Sequence, residues 1–123
     1  MGQNLEHLQR SIQKYYRRNK GILDTMSKLQ ISVAKTERNI IRAATQCGCV
    51  EIFTKKQSPD FNGEAESMLK GSLCADCREK TEQNMGDALF YLVCLAVLTG
   101  TSMENLLENQ IRQLDWLGKF NLK

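Results

Sequence analysis

The sequence predicts an all-α fold, in which four helices form a bundle and the bundles associate into an oligomer. Its 123 residues have room for one domain, which we expect to span residues 1–123. The chain contains one proline, and because proline interrupts helices, this scarcity favours long uninterrupted ones. Apolar residues recur at helical spacing in four segments, and in one of them, residues 88–98, every position is apolar.

The first two helices are predicted over residues 4–18 and 22–46, each with apolar side chains along one face. Residues 1–20 carry five basic side chains and one acidic side chain, a local charge of +4, whereas the whole chain carries +3. The overall charge is too small to indicate nucleic-acid binding. We interpret the basic face of the first helix as solvated, with nucleic-acid binding as the less favoured alternative.

A long, partly ordered connection is predicted over residues 49–73. Residues 50–53 are rich in β-forming side chains and predict a short strand. Residues 58–63 have turn chemistry, and residues 64–70 predict one or two helical turns. Long connections of this kind are often where function is found.

The third and fourth helices each begin with a capping-box pattern, Asp76-x-x-Glu79 and Thr101-x-x-Glu104, and Gly100 separates them. A helix that is apolar on every side must be buried on every side. A monomer of this length can hardly surround the third helix. We therefore expect a homodimer or a homotetramer.

The sequence also bears on the expected compartment. The N-terminus lacks the apolar stretch of a secretory signal. The longest apolar run is about half of the roughly 20 residues that a membrane span needs. We therefore expect a cytoplasmic protein with no membrane partner, in which cysteines stay reduced.

Four of the five cysteines form two close pairs, Cys47-x-Cys49 after the second helix and Cys74-x-x-Cys77 before the third. Four thiols that border one connection predict a tetrahedral structural Zn²⁺ site, which would close that connection and support a small core. Two alternatives remain open, namely free buried thiols and a redox disulfide. Cys94 is interpreted as a core residue.

The string Gly86-Asp87-Ala88-Leu89-Phe90-Tyr91-Leu92 begins the apolar part of the third helix. It resembles the second motif of the MazG-like, all-α nucleoside triphosphate pyrophosphohydrolases, in which a Glu-x-x-Asp pair opens a buried helix. The resemblance covers about residues 22–115 and is strongest over residues 78–115. It implies a helix bundle of that family's type, in which carboxylates on two helices hold Mg²⁺. The metal binds the triphosphate and activates water, so that pyrophosphate is released.

The resemblance also implies site residues in this chain. Glu37 and Asp87 are the implied Mg²⁺ ligands and catalytic residues. Asn84 stands where the family has a glutamate, and it is the implied neutral ligand of a weak Mg²⁺ site and a substrate-binding residue. Arg112 and Lys119 are the basic residues that we expect to hold phosphate. Two carboxylates stand where the family has about four, so we expect weak Mg²⁺ binding and hydrolysis that is poor or absent.

Three functions follow from these observations. The favoured one is a divergent MazG-like protein that binds nucleotides or pyrophosphate-containing ligands. The first alternative is an active Mg²⁺-dependent pyrophosphohydrolase of the house-cleaning type. The second is a non-catalytic module that binds a protein or a nucleic acid through its basic first helix or its C-terminal tail.

Overall fold

The computed structural model describes residues 2–15, 21–53 and 67–119. These residues form four α-helices and two short strands: α1 (Gly2–Tyr15), α2 (Ile22–Arg42), β1 (Val50–Ile52), β2 (Leu69–Gly71), α3 (Ala75–Thr99) and α4 (Met103–Lys119). The predicted mostly helical class is confirmed, and a two-stranded sheet is added to it. A bundle of the MazG-like type, an oligomer and a single domain over residues 1–123 stay predictions.

The chain divides into two compact units, which are described separately. The first comprises Met1–Gln30 and Ala88–Lys123, and the second comprises Ile31–Asp87. In the first unit α1 packs against α4. Its core consists of buried side chains from three helices: Ile12, Val93, Cys94, Ala96 and Met103. The interpretation of Cys94 as a core residue is confirmed, since it is 2% exposed.

The end of α3 is set by Gly100, as the sequence predicts. Gly100 has a φ of 69°, in the left-handed region that favours glycine. Its N–H donates to the carbonyl of Val97 at 3.3 Å, and the N–H of Thr101 donates to the carbonyl of Ala96 at 2.8 Å. These two bonds form a Schellman motif, which satisfies carbonyls that the end of the helix leaves without partners.

The start of α4 differs from the prediction by one residue. The hydroxyl of Ser102, not that of Thr101, accepts the capping hydrogen bond, from the N–H of Asn105 at 3.3 Å. The hydroxyl of Thr101 lies instead 3.0 Å from that of Thr99. The predicted capping box of Thr101 and Glu104 is therefore wrong, because the Schellman turn directs Thr101 back towards α3.

The second unit contains the small sheet. β1 and β2 are antiparallel, with Val50 opposite Gly71 and Ile52 opposite Leu69. The predicted strand over residues 50–53 is confirmed for Val50–Ile52. The predicted helical turns over 64–70 are wrong at residues 69 and 70, whose backbone groups pair with β1; residues 64–66 lie outside the described residues.

The part of α3 over residues 88–98 is apolar around its circumference but is only partly covered within one chain. Val93 and Cys94 are buried, whereas Leu89 and Leu92 are 43% and 44% exposed. Among the described helices none is by itself long and apolar enough to cross a bilayer. The helix α3 meets that criterion only when it is taken together with Met103–Gly118, at a bend of 111°.

Candidate metal centre

The first cysteine pair lies where α2 ends. After Arg42 the helix widens into a π-helical turn, Ala43–Cys47, which is closed by the N–H of Gly48 donating to the carbonyl of Ala43 at 2.8 Å. Gly48 has a φ of 84°, so the chain reverses direction between the two cysteines. Cys49 then leads directly into β1.

The second strand is held close to this pair by Gly71. A Cβ atom at Gly71 would lie 2.7 Å from the carbonyl oxygen of Cys49, and its φ is 85°. Only glycine combines that conformation with such a close approach of two backbones. The end of β2 therefore lies close to the backbone of Cys49, and the chain continues from there to Cys74.

The second cysteine pair begins α3. The thiol of Cys74 accepts the N–H of Cys77 at 3.4 Å, and the carbonyl of Cys74 accepts the N–H of Arg78 at 2.8 Å. Cys74 is therefore the capping residue. The predicted capping role of Asp76 is wrong, because Asp76 already lies in the first turn, with its carboxylate 3.2 Å from Nζ of Lys80.

These local arrangements bring four sulfur atoms together. The Sγ atoms of Cys47, Cys49, Cys74 and Cys77 all lie within 4.8 Å of one another. The Sγ atoms of Cys47 and Cys74 are 3.8 Å apart. A tetrahedron with metal–sulfur bonds of about 2.3 Å has edges of about 3.8 Å. The predicted convergence of the two pairs is confirmed, and the cluster can bind a metal ion.

The burial of the cluster bears on the alternative of free buried thiols. Cys47 is exposed and the other three cysteines are half-buried, so the thiols are not the deeply buried ones of the first alternative. All four are free in this structure, as is Cys94. A half-exposed cluster leaves a path by which a metal ion can reach the sulfur atoms.

The four thiols also perturb one another's ionisation. The hydrogen bond from the backbone N–H of Cys77 lowers the pKa of Cys74 to about 7. The contact with the Cys74 thiol raises the pKa of Cys77 to about 12. The thiol of Cys74 thus becomes a thiolate near neutral pH, whereas that of Cys77 stays protonated there. Thiolates are the form that binds metals.

Comparisons of the chain with protein-family models, with curated proteins and with solved structures find no match.

The site residues implied by the MazG-like resemblance are not members of the four-cysteine cluster. Glu37 is exposed on α2, and Asp87 is half-buried on α3, where it accepts a hydrogen bond from Gln83 at 3.1 Å. The side-chain oxygen of Asn84 accepts a hydrogen bond from Asn39 at 2.6 Å. Within the described residues, the group of three or more potential metal ligands is the four-cysteine cluster. A Mg²⁺ site at Glu37 and Asp87 therefore has no support here.

The two predicted phosphate-binding residues lie on α4, in the first unit. Arg112 donates to the side-chain oxygen of Asn109 at 2.7 Å and lines an apolar hollow with Trp116 and Leu117. Lys119 is the last residue of α4, and its side chain lies outside what the structure describes. Their predicted role in phosphate binding stays a prediction.

A polar cavity of about 180 Å³ adjoins the metal centre, and sequence reasoning missed it. Among the described residues, seven from α2, the π-helical turn and α3 line it: Asn39, Arg42, Gln46, Cys47, Asp76, Cys77 and Lys80. A second hollow, of about 380 Å³, shares Asn39, Asp76 and Lys80 with the first and extends to Asn84. Arg42, a basic residue shortly before the first cysteine pair, is a feature of the sequence that could have indicated the first cavity.

Proposed function

We propose that Cys47, Cys49, Cys74 and Cys77 bind one structural Zn²⁺ ion and that the chain is a zinc-stabilised helical protein. The observation that carries this proposal is the mutual distance of the four Sγ atoms, within 4.8 Å. Zinc prefers four tetrahedral ligands, and thiolates are among the commonest in structural sites. With four protein ligands no coordination position remains for water, which favours a structural role over a catalytic one.

The composition of the second unit supports a need for the metal. Its buried residues, among those described, are small: Ser32, Ala43, Val50 and Thr81. Such side chains bury little apolar surface, so a small unit gains much from a bound metal. The ion would link the end of α2 to the start of α3 and hold the short sheet between them.

Metal titration of the purified full chain tests this proposal. We expect one equivalent of Zn²⁺ per chain, and with Co²⁺ the absorption of a tetrahedral thiolate site. Cys47→Ser and Cys74→Ser should weaken binding strongly. Cys94→Ala is the matched control, because Cys94 is buried in the core of the first unit and should leave the metal site intact. Absence of metal binding in the reduced wild-type chain would refute the proposal.

A second candidate function is the binding of a nucleotide or another pyrophosphate-containing ligand by a divergent MazG-like protein. The observation that favours it is the hollow of the second unit, which is lined by Asn84 and Lys80 among other polar residues. The resemblance implies that Asn84 contacts substrate, and Lys80 would supply a cation for phosphate if the ligand displaced its partner Asp76, whose carboxylate lies 3.2 Å from Nζ. Calorimetric titration with a panel of nucleoside triphosphates should give binding that Asn84→Ala weakens.

Hydrolysis is proposed to be absent or slow, because Glu37 and Asp87 alone would hold Mg²⁺ weakly. A Mg²⁺-dependent assay of pyrophosphate release decides this. Robust release by the wild-type chain, abolished by Asp87→Ala, would instead establish the active pyrophosphohydrolase. Failure of every nucleotide to bind would leave the non-catalytic interaction module as the remaining one of the three functions that the sequence predicts, and it would not affect the proposed zinc site.

A further inference from the structure

The cavity beside the four cysteines is lined by two basic side chains, and their electrostatic surroundings differ. Lys80 is paired with Asp76, with Nζ and Oδ2 3.2 Å apart. Arg42 lines the same cavity and is exposed, and the described residues provide it with no ion-pair partner. One wall of this cavity is formed by Cys47 and Cys77. A guanidinium with no ion-pair partner among the described residues therefore shares a small cavity with two of the zinc ligands proposed above.

The π-helical turn explains why this arginine lies on the side of the cysteines. Arg42 precedes Cys47 by five residues. In a regular α-helix, five residues rotate the side chain by about 140° away from the starting direction. The wider turn Ala43–Cys47, closed by the 2.8 Å bond between Gly48 and Ala43, reduces that rotation. Residues 42 and 47 can then line one cavity.

The net charge of a zinc–thiolate site would give Arg42 an electrostatic role. One Zn²⁺ ion with four thiolates carries two negative charges in excess. Asp76 and Lys80 compensate each other. Among the described residues that line the cavity, Arg42 carries the remaining charge, and an arginine side chain is a cation. Charges that face a partly enclosed cavity interact more strongly than they would in bulk water.

We propose that Arg42 is the charge partner of the zinc centre and stabilises its metal-loaded, negatively charged state across the cavity. This inference rests on the proposed zinc site. Arg42 is a positioning residue in this role, since it is not a ligand. Groups outside the ligand shell commonly set the affinity of a metal site.

Competition for Zn²⁺ between the full chain and a chromophoric chelator tests the inference. We expect Arg42→Gln to weaken zinc binding by a factor on the order of three to ten at low salt. Arg42→Lys keeps the charge and should restore most of the affinity. Arg38→Gln is the matched control, because Arg38 is exposed on the same helix and does not line the cavity. It should bind zinc as the wild type does.

Salt separates an electrostatic role from a structural one. At about 1 M salt the interaction is screened, so the affinities of wild type and Arg42→Gln should converge. A defect that persists undiminished at that salt concentration would overturn the inference, as would equal affinities at low salt. If the wild type binds no zinc at all, the proposed function itself fails.

Inorganic phosphate probes the competing role of Arg42 as an anion site. Phosphate added to the zinc-loaded chain should not bind beside the centre, because the thiolates repel it. Phosphate binding that Arg42→Gln abolishes would overturn the inference.

Discussion

The sulfur atoms of Cys47 and Cys74 lie 3.8 Å apart, although the two residues are 27 positions apart in the sequence. Cys47 ends the π-helical turn after α2, and Cys74 caps α3. Their separation matches the edge of a tetrahedral zinc–thiolate site, about 3.8 Å. One ion at this point would join the end of α2 to the start of α3.

Substitution of Gly71 should damage both the sheet and the metal centre. Gly71→Ala combines a left-handed φ of 85° with a Cβ atom 2.7 Å from the Cys49 carbonyl oxygen. We expect it to lower the free energy of unfolding by about 1–3 kcal/mol and to weaken zinc binding. Gly48→Ala is the control, since its φ of 84° is similar but its added Cβ would have no atom of the described residues within 4 Å, apart from Gly48 and its chain neighbours. Equal losses in both variants, measured by denaturant unfolding, would show that the contact with Cys49 has no effect.

The side chain of Gln9 should contribute measurably to the first unit. Its Nε2 donates to the carbonyl of Thr101 at 2.9 Å, and its Oε1 accepts the N–H of Met103 at 3.1 Å. Gln9→Ala leaves two part-buried backbone groups without these partners, at a cost of about 1–3 kcal/mol. Gln13→Ala, one turn further along α1 at an exposed residue, should cost much less. Similar melting temperatures for the two variants would contradict this account.

The exposed apolar side chains of α3 and α4 predict self-association. Leu89 and Leu92 on α3 and Ile111 and Leu114 on α4 are each between 43% and 50% exposed. Burial of such side chains by a second copy is favourable. Light scattering at micromolar concentration should therefore give at least a dimer, and Leu92→Glu should weaken it. A wild-type chain that remains monomeric at that concentration would refute the prediction.

Zinc affinity should rise with pH, because protons compete with the metal for sulfur. The pKa of Cys74 is lowered to about 7, so this thiol is ionised above that value and protonated below it. One more proton then competes with zinc below pH 7 than above it. Chelator competition between pH 6 and pH 8 should show a steeper loss of affinity on the acid side. An affinity that does not change with pH would exclude thiolate ligands.

The positions of the helices and the two closely spaced pairs of cysteines can be predicted from the sequence, because both are local patterns. The helical spacing of apolar residues and the position of Gly100 predict α3 and its end, and both are found. The convergence of the two cysteine pairs is predictable because both pairs border a single connection. Other features depend on contacts that no local pattern records.

Three features of the second unit illustrate this limit. A cysteine is an uncommon helix cap, so Cys74 was not expected at the start of α3. The strand β2 has three exposed residues and no alternation, and its structure comes from pairing with β1. Arg42 reaches the metal cavity because of the π-helical turn, which the regular period of α2 does not predict.

The zinc assignment is tested most directly by X-ray absorption at the zinc edge, recorded on the full chain loaded with one equivalent of Zn²⁺. We predict four sulfur neighbours at about 2.3 Å and no nitrogen or oxygen in the first shell. Cys94→Ala should give the same spectrum. A first shell dominated by nitrogen or oxygen, or fewer than four sulfur neighbours in the reduced protein, would contradict a site formed by Cys47, Cys49, Cys74 and Cys77.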